Sequence, residues 1–367
     1  MAGSTFGTLF RISTWGESHG KAVGVTVDGC PAGLPLSEED IQKFLDRRKP
    51  GQSKFTTQRS EDDAVEILSG VFEGKTTGTP ISMVVYNKTQ RSSDYSDIAS
   101  YYRPGHADYT FDEKYGFRDY RGGGRSSGRE TIGRVAAGAI AVKLLEEFGI
   151  TVTAYAKSIG EINISQEHFC ITERDNNPVA MPDKEAAIKA QELLTKMIEE
   201  KDSVGGIVEC VVKGMKTGVG EPVFDKLDAK LSQAIMSIGA VKGFEIGVGF
   251  QAALMSGSEN NDAFTTDENK NIIKKSNNSG GVLGGISDGS DIILRAAFKP
   301  TPSIYRMQET VNKDLDNISI EIKGRHDPII VPRAVVVVEA MTAITVVDML
   351  MISMTSTVAG MKRFFER

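Results

Sequence analysis

The chain has 367 residues, a formal net charge of −6, 40% hydrophobic and 25% charged residues. This is the composition of an ordinary folded protein, which excludes a disordered or low-complexity chain, and the length allows a large core in one elaborate domain or two. The acidic balance argues against a general nucleic-acid or membrane-surface binder.

The opening MAGSTFGTLFRIS has neither a basic stretch followed by a long apolar one nor a transit-like character, so a cytoplasmic location is expected. Residues 8–14 and 22–27 have strand patterning, and the glycines around Glu17-Ser18-His19 make a tight connection that presents this tripeptide. Ser37 followed by Glu38, Glu39 and Asp40 starts a helix that Arg47 and Arg48 close before Pro50. Residues 52–59 are polar, basic and aperiodic, the character of a lid over an anionic ligand. Strands are expected at 65–68 and 81–86, and 91–119 shows little periodicity.

Residues 121–131, RGGGRSSGRET, combine three successive glycines with three arginines and lead into an apolar periodic segment. Glycines let backbone N–H groups approach an anion, and Ser127 with Glu130 is a capping-box pattern that places a helix start at Ser127. The spacing fits neither a Walker loop nor a dinucleotide fingerprint. Downstream, strands are expected at 151–158, 204–213, 244–250 and 291–298, and helices at 184–201 and 227–238. Residues 257–285 are polar and glycine-rich, long enough for a functional or mobile loop. Residues 334–354 could span a membrane by length, but Glu339 and Asp348 inside them favour a buried core helix, with Pro332 at its first turn. Strand pairs alternating with long helices disfavour a regular parallel fold. The expectation is α+β: one large domain over residues 1–367, with antiparallel sheets packed on helices.

Eleven of the 18 arginines lie at or before Arg134, against 7 of the 25 lysines. Arginine's planar fork suits an oxyanion that must be oriented. Of four histidines, His19, His106 and His326 occur in polar, glycine-flanked turns, where an imidazole can exchange a proton near neutrality. Cys30, Cys170 and Cys210 form no C-x-x-C and suit reduced thiols; without an H-E-x-x-H or paired ligand spacing, no metal site is assigned. These features point to an enzyme acting on a phosphorylated, carboxylated substrate, because a departing phosphate needs cations and a proton donor. A metal-dependent phosphatase and a non-catalytic phospholigand-binding protein are the rival classes.

Six stretches carry a family resemblance: residues 16–20 (GESHG), 46–48 (DRR), 103–108 (RPGHAD), 122–131, 299–301 (KPT) and 324–328 (GRHDP). In this order they resemble the signature set of the chorismate synthases over essentially the whole chain. The resemblance implies conversion of 5-enolpyruvylshikimate 3-phosphate to chorismate, a 1,4-anti elimination that needs reduced FMN without net redox change. It also implies a homotetramer with helices between antiparallel sheets and an external source of reduced flavin, with no nucleic-acid or membrane partner.

Carried over by position, the resemblance makes His19 the proton donor to the departing phosphate and places His106 at the reduced flavin. Asp348 resembles the acid that works with Ser18 near the flavin. Glu339 lies about half a turn out of phase with Asp348 at ~3.6 residues per turn, so one straight helix cannot aim both there. Arg48, Lys54, Arg103, Arg129 and Arg333 match substrate-holding cations. Flavin contacts fall on Arg125, Ser126, Ser127, Gly239, Ala240, Gly284, Lys299, Pro300, Thr301, Pro302, Ser303 and Arg325. Three positions depart from the family pattern: Lys54 where arginine is usual, Gly128 for alanine, and Pro302 within a usual Lys-Pro-Thr-Ser-Ser run.

Overall fold

Two helices, Thr131–Glu146 and Val331–Ser353, pack against each other at the centre, and both are buried on nearly every face. A helix that is apolar all round has no solvent face and must sit inside a core. The computed structural model describes residues 3–51, 53, 55, 62–88, 97–322 and 327–366.

One five-stranded antiparallel sheet covers the Thr131 helix, in the order Thr5–Phe6, Arg11–Gly16, Ala22–Asp28, Ile81–Tyr86, Val65–Ile67. A second covers the Val331 helix, in the order Val241–Ile246, Ile292–Phe298, Gly206–Lys213, Thr151–Ile159, Ile162–Asn163. Helices Glu38–Arg48 and Leu227–Met236 flank the central pair. The expected α+β arrangement of helices between antiparallel sheets is the one found, and one apolar core runs from Phe10 to Met349. The Val331–Ser353 helix is the only described one long and apolar enough to cross a membrane, and 83% of its most apolar window is buried in this core.

Gly138 marks where the central helices approach. A Cβ there would lie 2.2 Å from Ala340 Cβ and 2.5 Å from its Cα, so backbone would have to move. Gly138→Ala is expected to cost about 1–3 kcal/mol by overpacking, despite alanine's better helix propensity. Thermal unfolding checks this, and an unchanged Tm would contradict the close approach.

Three local expectations need correction. The helix expected from Ser127 begins at Thr131, after two 3₁₀ turns, Gly124–Ser126 and Gly128–Glu130. Ser127 caps only Arg129 N–H, because Glu130 accepts instead from Thr14 Oγ1 and Arg134 Nε. The aperiodic 91–119 stretch contains a helix, Asp108–Tyr115, whose first residue is fixed by pairing with Arg103 and whose end is Gly116 at φ +78°. The strand expected at 244–250 lies at Val241–Ile246, set by its register against Ile292–Phe298, and 249–254 turns into a 3₁₀ segment. The 257–285 stretch, expected as a functional or mobile loop, is tied by Lys274, whose side chain is 2% exposed and pairs with Asp262 and Asp288. A buried cation needs such partners, and here they pin the segment.

Candidate active site

The Glu38–Arg48 helix starts at Ser37, where Ser37 and Asp40 form a reciprocal cap, and its last residue delivers Arg48 into the interior. The Arg48 side chain is 2% exposed, and its Nη2 lies 2.5 Å from Asp63 Oδ2. Asp63 Oδ1 takes Arg129 Nη1 at 2.9 Å, so one fully buried carboxylate bridges two guanidinium groups. Asp63 sits at φ +46°, a left-handed conformation that aspartate and asparagine tolerate better than most residues. Arg333 Nε donates to the Arg48 carbonyl at 3.0 Å and its Nη1 to Asp327 at 2.8 Å. Burial brings the Arg48 guanidinium down to about 10, with Asp63 opposing and Arg333 and Arg129 adding to the effect. Arg48 Nε is buried without a hydrogen-bond partner. Two cations thus converge on one carboxylate with a buried donor unused, chemistry that suits an anion.

The turn after strand Arg11–Gly16 carries Ser18 and His19. Ser18 Oγ and His19 Nδ1 are 3.0 Å apart, and the turn closes with Gly20 N–H on the Glu17 carbonyl. Asn87 holds this turn from below and reaches Arg129 with its other end. The His19 ring rests on Gly122: a Cβ there would fall 2.1 Å from Nδ1 and 2.3 Å from Cε1. Gly122→Ala is therefore expected to drive His19 out of position and cut turnover about 10²-fold, the penalty typical of a 1 Å misplacement. Steady-state kinetics beside a thermal melt would check it; full activity in a folded variant would show that the ring has room.

A second group forms where Lys299–Ser303 meets the Arg103–Asp108 turn. His106 Nδ1 lies 2.9 Å from the Pro104 carbonyl and Nε2 2.9 Å from Ser303 Oγ. A carbonyl only accepts, so the neutral ring carries its proton on Nδ1 and Nε2 accepts from the Ser303 hydroxyl. Burial, with Arg103 and Lys299 adding to it, pulls the His106 imidazole down to about 4 against Pro104 and Asp108. Lys299 Nζ donates to the Gly105 carbonyl, and Lys299 N–H to that of Ala240, which brings the Gly239–Ala240 turn alongside. Ala240 holds φ +71°. Thr301 Oγ1 is buried without a partner. Arg103 forms a bidentate pair with Asp108; burial pushes that carboxyl up, yet Arg103 and Arg118 hold it below the usual range.

The glycine cradle is turned partly inward. Arg125 donates to the Gly16 and Thr14 carbonyls and to Thr14 Oγ1, while Ser126 Oγ donates to the Gly123 carbonyl. Gly284 tips the hairpin Val282–Ser287 at φ +61°. Lys54, Arg325, His326 and most of the 52–59 stretch lie outside the described residues.

Asp348 is not brought to Ser18. Its carboxylate accepts the N–H groups of Thr8, Leu9 and Phe10 at 2.7–3.0 Å, capping the turn before strand Arg11–Gly16. Ser18 follows the other end of that strand, whose six residues at ~3.3 Å each span roughly 20 Å. Glu339 faces elsewhere, as its half-turn offset requires, pairing with Arg47 and Arg174 and accepting Ala154 N–H. A cavity of about 590 Å³ opens beside these residues, with Arg47, Arg174, Arg333 and Asn177 in its wall. Its three arginines are matched by Glu339, Asp175 and Asp327.

A profile of the family described as Chorismate synthase matches residues 10–351. The chorismate synthase of Lachnospira eligens is 67% identical over 367 residues, covering 100% of both chains. The chain belongs to the chorismate synthase family. The Methanosarcina mazei chorismate synthase is 58% identical over 351 residues, covering 95% of this chain and 96% of its own. A crystal structure of chorismate synthase aligns with a TM-score of 0.76 at 33% identity, covering 98% of this chain and 97% of that one.

Membership makes the chain a lyase, and chorismate synthase chemistry directs attention to residues that sequence reasoning passed over. Asp63 joins Arg48 to Arg129, Asn87 joins Arg129 to the histidine turn, and Asp327 pairs with Arg333. Asp327 lay in a quoted motif. Asp63 and Asn87 lacked any local signal, since their roles depend on partners 15 to 70 positions away.

Proposed function

We propose that the chain converts 5-enolpyruvylshikimate 3-phosphate to chorismate by a 1,4-anti elimination of phosphate and a ring hydrogen, with reduced FMN bound and not consumed. The observation that carries this reading is the convergence of two guanidinium groups on one buried carboxylate, with Arg48 Nε buried and unused, beside a turn that holds a serine and a histidine. Arg48 and Arg129 would hold the phosphate or carboxylates, and His19 would protonate the departing phosphate.

The residues of the second group fit a flavin. Lys299, Ser303 and the partnerless Thr301 hydroxyl are donors suited to an anionic ring and phosphate tail, and Ala240 opens the backbone beside them. When bound, reduced FMN supplies the transient electron density that makes an unactivated C–H bond breakable. His106, held as a neutral imidazole by burial, would take up a proton as anionic charge arrives, because a nearby anion favours the charged ring. The family resemblance further supports a cytoplasmic homotetramer fed by a separate source of reduced flavin. Exposed Val358, Met361, Phe364 and Phe365 on the last helix offer apolar surface for such assembly.

The test is an anaerobic assay with chemically reduced FMN, following chorismate by absorbance. Absence of product would contradict the proposal. A metal-dependent phosphatase would release phosphate without flavin and lose activity to a chelator, and a binding protein would take up ligand without turnover.

A further inference from the structure

We propose that Asn87 is a positioning residue that fixes the distance between the Ser18–His19 turn and Arg129; this rests on the reading of the site given above. Asn87 follows directly on strand Ile81–Tyr86, and its N–H continues the ladder to the Lys21 carbonyl at 3.0 Å. That step places the amide beneath the turn. Nδ2 donates to the Glu17 carbonyl at 3.0 Å and to the Gly20 carbonyl at 2.8 Å, the two carbonyls that bracket Ser18 and His19. Oδ1 accepts from Arg129 Nε at 2.5 Å. The amide cannot be turned around, because guanidinium only donates and carbonyls only accept.

Arg129 continues through Asp63 to Arg48, so a single chain of hydrogen bonds runs from the proton donor's turn to both anion-binding cations. An amide with two donors and an acceptor is the only side chain of its size that serves both ends. Aspartate has the same shape and would keep the Arg129 contact through one oxygen, but its other oxygen would face the Glu17 and Gly20 carbonyls as an acceptor and release the turn. The isosteric change thus separates the two halves of the role. Alanine abolishes both.

With the wild type turning over in the anaerobic assay, Asn87→Asp is expected to lower kcat about 10²-fold, as misplacement of a catalytic group does, while KM for 5-enolpyruvylshikimate 3-phosphate stays near wild type. Asn87→Ala should lower kcat and raise KM as well. In a His19→Ala background, Asn87→Asp should produce no further fall in kcat, since a residue acting through His19 has nothing left to position. Thermal melts establish that each variant is folded, and if Asn87→Asp is not, Asn87→Ala carries the test in the His19→Ala background, where its fall in kcat should likewise disappear. A folded variant with wild-type kcat, or fully additive effects in the double variant, overturns the proposal. A wild type that makes no chorismate sinks the reading of the site as well, which keeps the two failures distinct.

Discussion

Asp63→Ala is expected to destabilise the fold by about 3–5 kcal/mol, the cost of breaking a buried ion pair from one side. Asp63 is the carboxylate that Arg48 and Arg129 share, and its side chain has no exposed surface. Without it, Arg48 keeps burial and the repulsion of Arg129 and Arg333 and loses the group that opposes them. Alanine adds strain of about 1–2 kcal/mol at φ +46°, which asparagine largely avoids. Asp63→Asn therefore isolates the charge: it should be milder in denaturant unfolding, yet share the rise in KM expected once the two guanidinium groups drift apart. A loss below about 1 kcal/mol for Asp63→Ala would mean that the arginines find other partners or water, and would remove the preformed anion receptor from the account.

His19→Ala and His106→Ala should each lower turnover about 10²–10⁴-fold, the range of general acid–base contributions, while flavin binding persists. For His106 the sign of the pH dependence follows from its depressed pKa. The folded chain prefers the neutral ring, so this residue's stabilisation is present above the ordinary value of 6.5 and is lost as pH falls toward about 4. Wild-type melting temperature should accordingly fall more steeply between pH 7 and pH 4 than that of His106→Ala. Calorimetry in buffers of different ionisation enthalpy should also show proton uptake when reduced FMN binds at pH 6–7, absent in the alanine variant. Equal pH slopes and equal proton uptake would refute a neutral, partly buried His106.

What could be read from the chain was whatever short-range chemistry decides. Ser37 with its acidic turn and the arginine end of that helix were legible because capping and charge act within one turn. The apolar run ending near Met354 identified the core helix. Glu130 misled, because its pattern promised a cap to Ser127 while its carboxylate went to Thr14, more than a hundred positions away. Asp348 was assigned by resemblance, and nothing on its own helix announces that it takes the N–H groups of Thr8, Leu9 and Phe10. Asp63 and Asn87 were invisible because nothing beside them in sequence hints that one carboxylate would face two arginines or one amide would join a turn to a guanidinium.

The central claim is that phosphate leaves by elimination with the flavin unchanged at the end. Its most direct test follows chorismate, inorganic phosphate and the flavin spectrum together in one anaerobic reaction with a sub-stoichiometric amount of chemically reduced FMN. The account predicts chorismate and phosphate in equal amounts, many turnovers per flavin, and FMN still reduced when substrate is exhausted. Phosphate without chorismate, or flavin oxidised in step with product, would contradict it.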